Sequence, residues 1–353
     1  DLPAARKVAG VAGVSSHFYC TVCKCFGLQT LYRSDFEHSD WEPRDVAQLH
    51  QNAEAWRNTE TQAERDEIFN HYGVRWSEFW RLPYWNPTRM LVIDAMHCVL
   101  EGLVHYHCRR VLRLDAEVAK KSEEKVAAFS HEWHAYNLET TPNQYHIKNA
   151  KEEHQITLIH RTLVSLIVLL FTTEPGLTEQ EPLMLPDHQY VPKAINLSSI
   201  KYVQHVIVET TTPSWINSVP ENYGESNAGT IKADEWRILA TVYIPITLVL
   251  MWGDQPGENA AHLLGLLDHS MALFQAVTLA CRYTMTRQRA IAYCTSIKEW
   301  VNGLYIHHPH TVDHTERRNI HAAFHIYDFL LLFGPVISWW CFPFECLIGI
   351  LQK

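Results

Sequence analysis

Lys232-Ala233-Asp234-Glu235-Trp236-Arg237 begins the stretch of sequence that decides the fold class. From here helical patterns continue through residue 333, and an earlier helical pattern covers residues 46–72 up to Gly73, a typical helix C-cap. Only two short apolar runs, at residues 90–93 and 336–339, favour β-strands. The sequence therefore predicts a mainly α protein.

Composition favours a large folded core. The chain has 353 residues, and its 47% hydrophobic content with 12 Trp argues against disorder. Its net charge of −9 does not by itself indicate nucleic-acid binding. Nine cysteines are too few and too irregular for a disulfide framework, so we expect reduced thiols. The longest apolar run, residues 156–171, is shorter than the ~20 residues that span a bilayer, and we expect no membrane partner.

The clearest chemical motif is a pair of thiols, Cys20 and Cys23, separated by two residues. Two thiolates at this spacing can bind one tetrahedral Zn²⁺, but they supply only half of a site. Asp94 and His97 are candidates for the remaining ligands because they offer a carboxylate and an imidazole. Spacing alone favours a plainer interpretation, namely two buried free cysteines and a core histidine. Two further alternatives as ligands are His17 and Cys98.

A histidine-rich stretch follows near the end of the helical part, at His307, His308 and His310. With Asp313 and His314 it could hold a metal. No thiol or second acid is spaced to complete such a site, so we predict a loop with exposed histidines.

Several blocks of sequence occur in an order that resembles one family of DNA-processing enzymes. They are Asp1-Leu2-Pro3-Ala4-Ala5-Arg6, the Cys20/Cys23 pair, Asp94-Ala95-Met96-His97, the block at residues 232–237, and Phe344-Glu345. Together they resemble the fungal Plavaka-type transposases of the CACTA-related (En/Spm-like) DDE superfamily, over nearly the whole chain. The resemblance implies a zinc site of Cys20, Cys23 and His97, with Asp94 as a further candidate and the fourth ligand left open.

The resemblance also implies a fold and a catalytic site. Residues 1–30 would belong to an RNase H-like α/β DDE core carrying the cysteine knuckle, residues 31–330 would form a large helical insertion domain, and residues 331–353 would return to the core. Asp1 matches the second catalytic acid of the family and Glu345 the third. Glu235 stays open as an alternative third acid, because its block also recurs in relatives.

DDE enzymes cleave DNA with two Mg²⁺ ions held by three acids, so carboxylates are the appropriate residue type. The block that carries the first acid is not found in this sequence. We therefore expect a fragment that is inactive alone, and whether the chain is an enzyme is left open. Cys346 and Ile348 stand where the family has arginine and asparagine. The alternative is a non-catalytic, zinc-stabilised interaction domain from a decayed or domesticated transposon.

The resemblance implies partners and a compartment as well. The complete enzyme would bind the terminal repeats of its transposon in the nucleus, and self-association would be compatible with that role. We expect no small-molecule substrate.

Overall fold

The computed structural model of the protein describes residues 2–26, 41–114, 197–253, 257–311 and 318–351. They belong to one compact unit formed by Asp1–Lys121 and Ala194–Lys353. The predicted boundaries at residues 30 and 330 fall within the sequence of this unit. The predicted catalytic residue Asp1 and the apolar run at residues 156–171 lie outside the described residues.

Helices dominate the described residues, which are 67% helical and contain no β-strand. This confirms the prediction of a mainly α protein. The α-helices are α1 (Leu2–Val8), α2 (Val46–Asn58), α3 (Gln62–Tyr72), α4 (Pro87–Met90), α5 (Leu197–Glu209), α6 (Ala233–Ile238), α7 (Ile244–Trp252), α8 (Ala260–Ala280), α9 (Arg287–His307), α10 (Arg318–Phe333) and α11 (Phe342–Leu351). Wider π-helical turns occupy Met96–Val104, His107–Val111 and Leu239–Tyr243, and short 3₁₀ turns occupy Glu78–Arg81, Ser226–Ala228, Pro309–Thr311 and Val336–Ser338.

Both predicted strands are wrong. Met90 ends α4, and no strand forms in residues 91–93. Residues 336–338 form a 3₁₀ turn after Pro335, in which Trp339 and Trp340 each donate a backbone hydrogen bond to the carbonyl of Val336. Local backbone bonds therefore replace the inter-strand bonds that a sheet would need. The RNase H-like remnants at the two chain ends stay a prediction.

The helical pattern before Gly73 is confirmed as two helices, α2 and α3. The second begins with a capping box, in which the Thr61 side chain accepts from the backbone of Glu64 and the Glu64 carboxylate accepts from the backbone of Thr61. It ends at Gly73, whose φ of 68° is a left-handed conformation that glycine adopts without strain. Polar capping therefore sets the start of α3 and a glycine sets its end.

The core of the described unit is built mainly on α8, α9 and α10. Trp300 and Tyr293 of α9 and Phe324 and Phe329 of α10 are fully buried. Fully burying an apolar side chain of this kind contributes roughly 1.5–3 kcal/mol. The same core includes Val99 and the rest of the buried face of Met96–Val104. It therefore fixes α10 against the segment that follows Asp94.

Two helical stretches are long and apolar enough to cross a membrane, Ala233–Trp252 and Ala260–Ala280. Arg318–Phe333 and Val336–Leu351 would add a third if this pair, bent by 74°, formed one span. Only the length and the composition of these helices identify them as possible spans. The apolar windows of the first two are 50% and 56% buried within the protein, so part of their apolar surface serves packing. The expectation of no membrane partner stays a prediction.

Candidate metal centre

Four potential metal ligands meet in the interior, Cys20, Cys23, His321 and His325. All four are at most 5% exposed. The Cys23 Sγ lies 3.5 Å from the Cys20 Sγ, 3.3 Å from the His321 Nε2 and 3.4 Å from the His325 Nε2. In a tetrahedral Zn²⁺ site the S–S separation is ~3.8 Å and the S–N separation ~3.5 Å, from bond lengths of ~2.3 and ~2.0 Å. The cluster can therefore hold a metal such as zinc with adjustments of a few tenths of an ångström.

Local structure presents each pair of ligands together. The Cys20 Sγ accepts backbone N–H bonds from Val22 and Cys23, each at 3.3 Å, which fold the cysteine segment into a tight knuckle. His321 and His325 are four residues apart on α10, so their side chains lie on one face of the helix. The centre thus joins the segment after α1 to the penultimate α-helix of the described chain.

Surrounding groups orient the histidines. The Asp328 Oδ2 lies 2.9 Å from the His325 Nδ1, which leaves the His325 Nε2 directed at Cys23. Such a carboxylate behind a ligating imidazole is a common feature of zinc sites. Trp41 stacks on the His321 ring with the ring centroids 4.2 Å apart. These contacts limit ring rotation, so the ligands are held in position before a metal binds.

Two buried arginines lie beside the knuckle. Arg6 donates to the carbonyls of Ala12 and Tyr19, at 3.0 and 2.6 Å, and Arg44 donates to the carbonyl of Cys20 at 3.3 Å. Burial lowers the pKa of both guanidinium groups, while the charge of Cys20 favours their protonated form. Two cations near the thiols favour thiolates, which are the metal-binding form of cysteine.

Electrostatics within the cluster point the same way. Burial opposes ionisation of Cys20, but hydrogen bonds with Cys23, His321 and His325 outweigh it and lower the pKa of the Cys20 thiol. The Cys23 thiol donates a hydrogen bond to the Cys20 Sγ, and because this bond needs the proton it raises the pKa of Cys23. For His325, burial acts against protonation, but Asp328 and Cys20 raise the imidazole pKa to about 9. A metal ion that binds here would therefore displace the protons of the Cys23 thiol and the His325 imidazole, because both groups bind metal in their deprotonated forms.

The structure corrects two of the four predicted zinc ligands, Asp94 and His97. Cys20 and Cys23 lie together as predicted, but His97 and Asp94 belong to a different cluster, and the partners of the cysteines are His321 and His325. The alternatives are also excluded from this centre: His17 packs against Phe18 and Phe26, and Cys98 bonds to the carbonyl of Asn319. Spacing within the cysteine motif carries no information on ligands nearly 300 residues away. The missed signal is the His-x3-His spacing of residues 321 and 325.

Asp94, His97 and Cys341 form the second cluster of potential ligands. Glu101 and Glu345 lie beside His97, and we call all five residues the Asp94 cluster. Asp94 is buried; its Oδ2 lies 2.6 Å from the His97 Nδ1 and its Oδ1 accepts the backbone N–H of Cys341 at 2.9 Å. The His97 Nε2 is 4.0 Å from both the Glu101 Oε2 and the Glu345 Oε1. The structure thus brings the predicted third acid to the Asp94-x2-His97 block.

Glu235, the alternative third acid, has a local structural role. Its Oε2 accepts the backbone N–H of Lys232 at 2.6 Å, which caps the first turn of α6. Mg²⁺ prefers an all-oxygen shell, and among the described residues the group paired with Glu345 is the imidazole of His97. The described residues therefore do not by themselves present a Mg²⁺ site.

A third group of histidines is buried in the core. The ring centroid of His269 is 5.7 Å from that of His107 and 5.1 Å from that of His308. Trp300 donates its indole N–H to the His107 Nδ1 at 3.1 Å, and its carbonyl lies 2.7 Å from the His269 Nε2. His308 is 6% exposed, so the prediction of an exposed loop is wrong at this residue. Asp313 and His314, which the same prediction named, lie outside the described residues.

Comparison with known proteins adds no assignment. No family model matches the chain, and no curated protein matches it. The resemblance to DDE transposases therefore stays a prediction from the sequence blocks, while the two clusters are properties of the structure.

Proposed function

We propose that the chain is a metal-stabilised helical region of a DDE-type DNA transposase, and that Glu345 is one of the acids of its catalytic site. The observation that carries the proposal is the approach of Glu345 to His97, with 4.0 Å between the Glu345 Oε1 and the His97 Nε2. The family resemblance singled out these two blocks separately, and they are far apart in the sequence. Their meeting supports a shared site.

The Cys20/Cys23/His321/His325 centre would serve this function structurally. A closed, buried set of two thiolates and two imidazoles leaves no open position for a substrate, which is typical of structural Zn²⁺. It would stabilise α10, and α10 is followed by the short connection to α11, where Glu345 lies in the first turn. In this proposal zinc supports the scaffold, and the Mg²⁺ chemistry belongs to the complete catalytic site.

The test is a DNA-nicking assay with protein from the full reading frame that encodes this chain, using DNA with the terminal repeats that flank the gene. Glu345→Gln should abolish Mg²⁺- or Mn²⁺-dependent cleavage. Glu235→Gln is the matched control and should leave cleavage intact, because its side chain caps a helix. The 353-residue chain alone should not cleave. Equal cleavage by the wild type and Glu345→Gln would refute the assignment.

The second candidate is a non-catalytic, zinc-stabilised interaction domain derived from a transposon. The closed geometry of the metal centre favours it, because such a centre needs no catalytic partner to be useful. This candidate predicts that the full-length protein binds zinc and folds but never cleaves DNA, with or without Glu345. DNA as a partner, self-association and nuclear localisation follow from the first candidate.

A further inference from the structure

The ring of His97 is fixed with one nitrogen facing away from its support. The Asp94 Oδ2 accepts the backbone N–H of His97 at 3.0 Å and lies 2.6 Å from its Nδ1. The other Asp94 oxygen is occupied by the backbone N–H of Cys341. Asp94 is therefore committed to holding the imidazole. A carboxylate on Nδ1 is the arrangement that sets the tautomer of a metal-binding histidine, with Nε2 as the ligand atom.

Two carboxylates flank that Nε2. Glu101 lies four residues after His97 in the same helical segment, and Glu345 comes from the first turn of α11. Each carboxylate oxygen is 4.0 Å from the Nε2, too far for a hydrogen bond. Two metal–ligand bonds of ~2.0–2.2 Å span ~3–4.3 Å, depending on the angle at the metal. Neighbouring ligands of a regular site lie ~3.0–3.4 Å apart, so each of these half-exposed carboxylates would move ~0.6–1 Å closer to the Nε2 around an ion between them.

Charge also favours a cation here. Three carboxylates, of Asp94, Glu101 and Glu345, surround a single imidazole. Within the described part of the chain, the ion pairs of Glu101 and Glu345 are made with His97 and with no Lys or Arg. The side chains of His97, Glu101 and Glu345 are 38%, 42% and 44% exposed, so water can reach the space between them. In this respect the cluster is the opposite of the closed cysteine centre.

We propose that His97, Glu101 and Glu345 form a second, solvent-open site for a divalent transition metal, with Asp94 as the residue that positions His97. One nitrogen and two carboxylate ligands suit Mn²⁺, Fe²⁺ or Zn²⁺ better than Mg²⁺, which binds imidazole poorly. The remaining coordination positions face solvent and would take water or an oxygen of a substrate. The site shares Glu345 with the proposed function but needs neither DNA nor cleavage.

The chain offers a matched control for this geometry. His50 and Glu54 form the same i, i+4 pair on α2, with 3.6 Å between the Nε2 and the Oε1. Their side chains are 41% and 54% exposed, similar to His97 and Glu101. No second carboxylate is paired with His50 among the described residues. If one exposed histidine and one glutamate sufficed for binding, this pair would bind as well.

The experiment is a Mn²⁺ titration of the 353-residue chain, first loaded with one equivalent of Zn²⁺ for the closed cysteine centre and freed of excess Zn²⁺, with free Mn²⁺ followed by its electron paramagnetic resonance signal. We expect one Mn²⁺ per chain. Glu345→Gln and Glu101→Gln should each weaken binding by at least about tenfold, and Asp94→Asn by about 10- to 100-fold. Glu54→Gln should have no effect, and Mg²⁺ should displace Mn²⁺ only in large excess.

Absence of a bound Mn²⁺, or binding that Glu345→Gln and Glu54→Gln change equally, would overturn the proposal. Glu345 is exposed, so its variant should fold normally, and circular dichroism checks this. The measurement contains no DNA. If the chain binds Mn²⁺ but the full-length protein fails to cleave DNA, the transposase function is refuted and the metal site stands. If the full-length protein cleaves DNA but the chain binds no Mn²⁺, the metal site is refuted and the transposase function stands.

Discussion

Acid should destabilise this protein through its buried histidines, and His269 permits a quantitative prediction. Burial is the main cause that lowers the pKa of His269 from the ordinary 6.5 to about 4, and the charge of His307 acts in the same direction. Burial likewise lowers the pKa of His107 and of His308. The unfolded chain therefore binds these protons more tightly than the folded chain. Stability contributed by the neutral rings is present above pH 6.5 and is lost as the pH falls toward 4.

The magnitude follows from the two pKa values of His269. A difference between 6.5 and about 4 corresponds to about 3 kcal/mol once the pH lies below both values. Between pH 7 and pH 5 the loss from this residue alone is roughly 2 kcal/mol. Because His107 and His308 shift in the same direction, the whole cluster should lose more. Such a loss is a large part of the ~5–15 kcal/mol that stabilises a typical domain.

The assay is urea unfolding of the wild type and of His269→Gln at pH 7 and pH 5. Glutamine can still donate to the Trp300 carbonyl but does not titrate. The stability of His269→Gln should therefore fall between the two pH values by roughly 2 kcal/mol less than that of the wild type. His71→Gln, at an exposed histidine on α3, is the control and should follow the wild type. Parallel pH profiles for the wild type and His269→Gln would refute the reasoning.

Three further predictions concern the metal centre and the backbone. Zinc at 100 times its Kd should stabilise the wild type by about 2.7 kcal/mol in calorimetry, and Cys23→Ser should remove this gain. A wild-type Tm that changes neither with added zinc nor with a chelator would contradict the metal site. Glu235→Gln should cost less than about 1 kcal/mol in urea unfolding, because the glutamine oxygen can still cap Lys232, whereas a large loss would show a role beyond capping. Gly73→Ala should cost more than about 1 kcal/mol, because φ is +68° and a Cβ would lie 2.5 Å from Phe18. Gly13→Ala, where a Cβ meets nothing within 4 Å, should cost less.

The fold class was predictable because helices are local structures. Gly73 follows the end of α3 directly, so the spaced apolar residues and this glycine were enough to predict a helical pattern there, whereas the Thr61 and Glu64 capping box that starts α3 was missed. The run at residues 336–339 misled for the same reason. Its apolar, β-branched residues suit a strand, but a strand needs a partner elsewhere in the chain, and backbone bonds to the carbonyl of Val336 form a turn instead.

The candidate site was predictable only as far as its local halves. Cys20 and Cys23 were recognised from their spacing, and Asp94 and His97, also three residues apart, from the chemistry of their side chains and the family block that contains them. Which pair meets which depends on tertiary packing. The core built on α8, α9 and α10 brings His321 and His325 to the cysteines, whereas the Asp94 carboxylate bonds the backbone of Cys341 at the start of α11.

The two clusters also differ in what their surroundings allow. The cysteine centre is at most 5% exposed and lies beside two buried arginines, so a metal bound there would be enclosed and would contribute to stability. The side chain of Asp94 is 7% exposed, but His97, which it holds, is 38% exposed and faces carboxylates that water can reach. A scaffold metal needs enclosure, and a metal that meets substrates needs an opening. Successive helices of the chain carry one ligand set of each kind, His321 and His325 on α10 and Glu345 on α11.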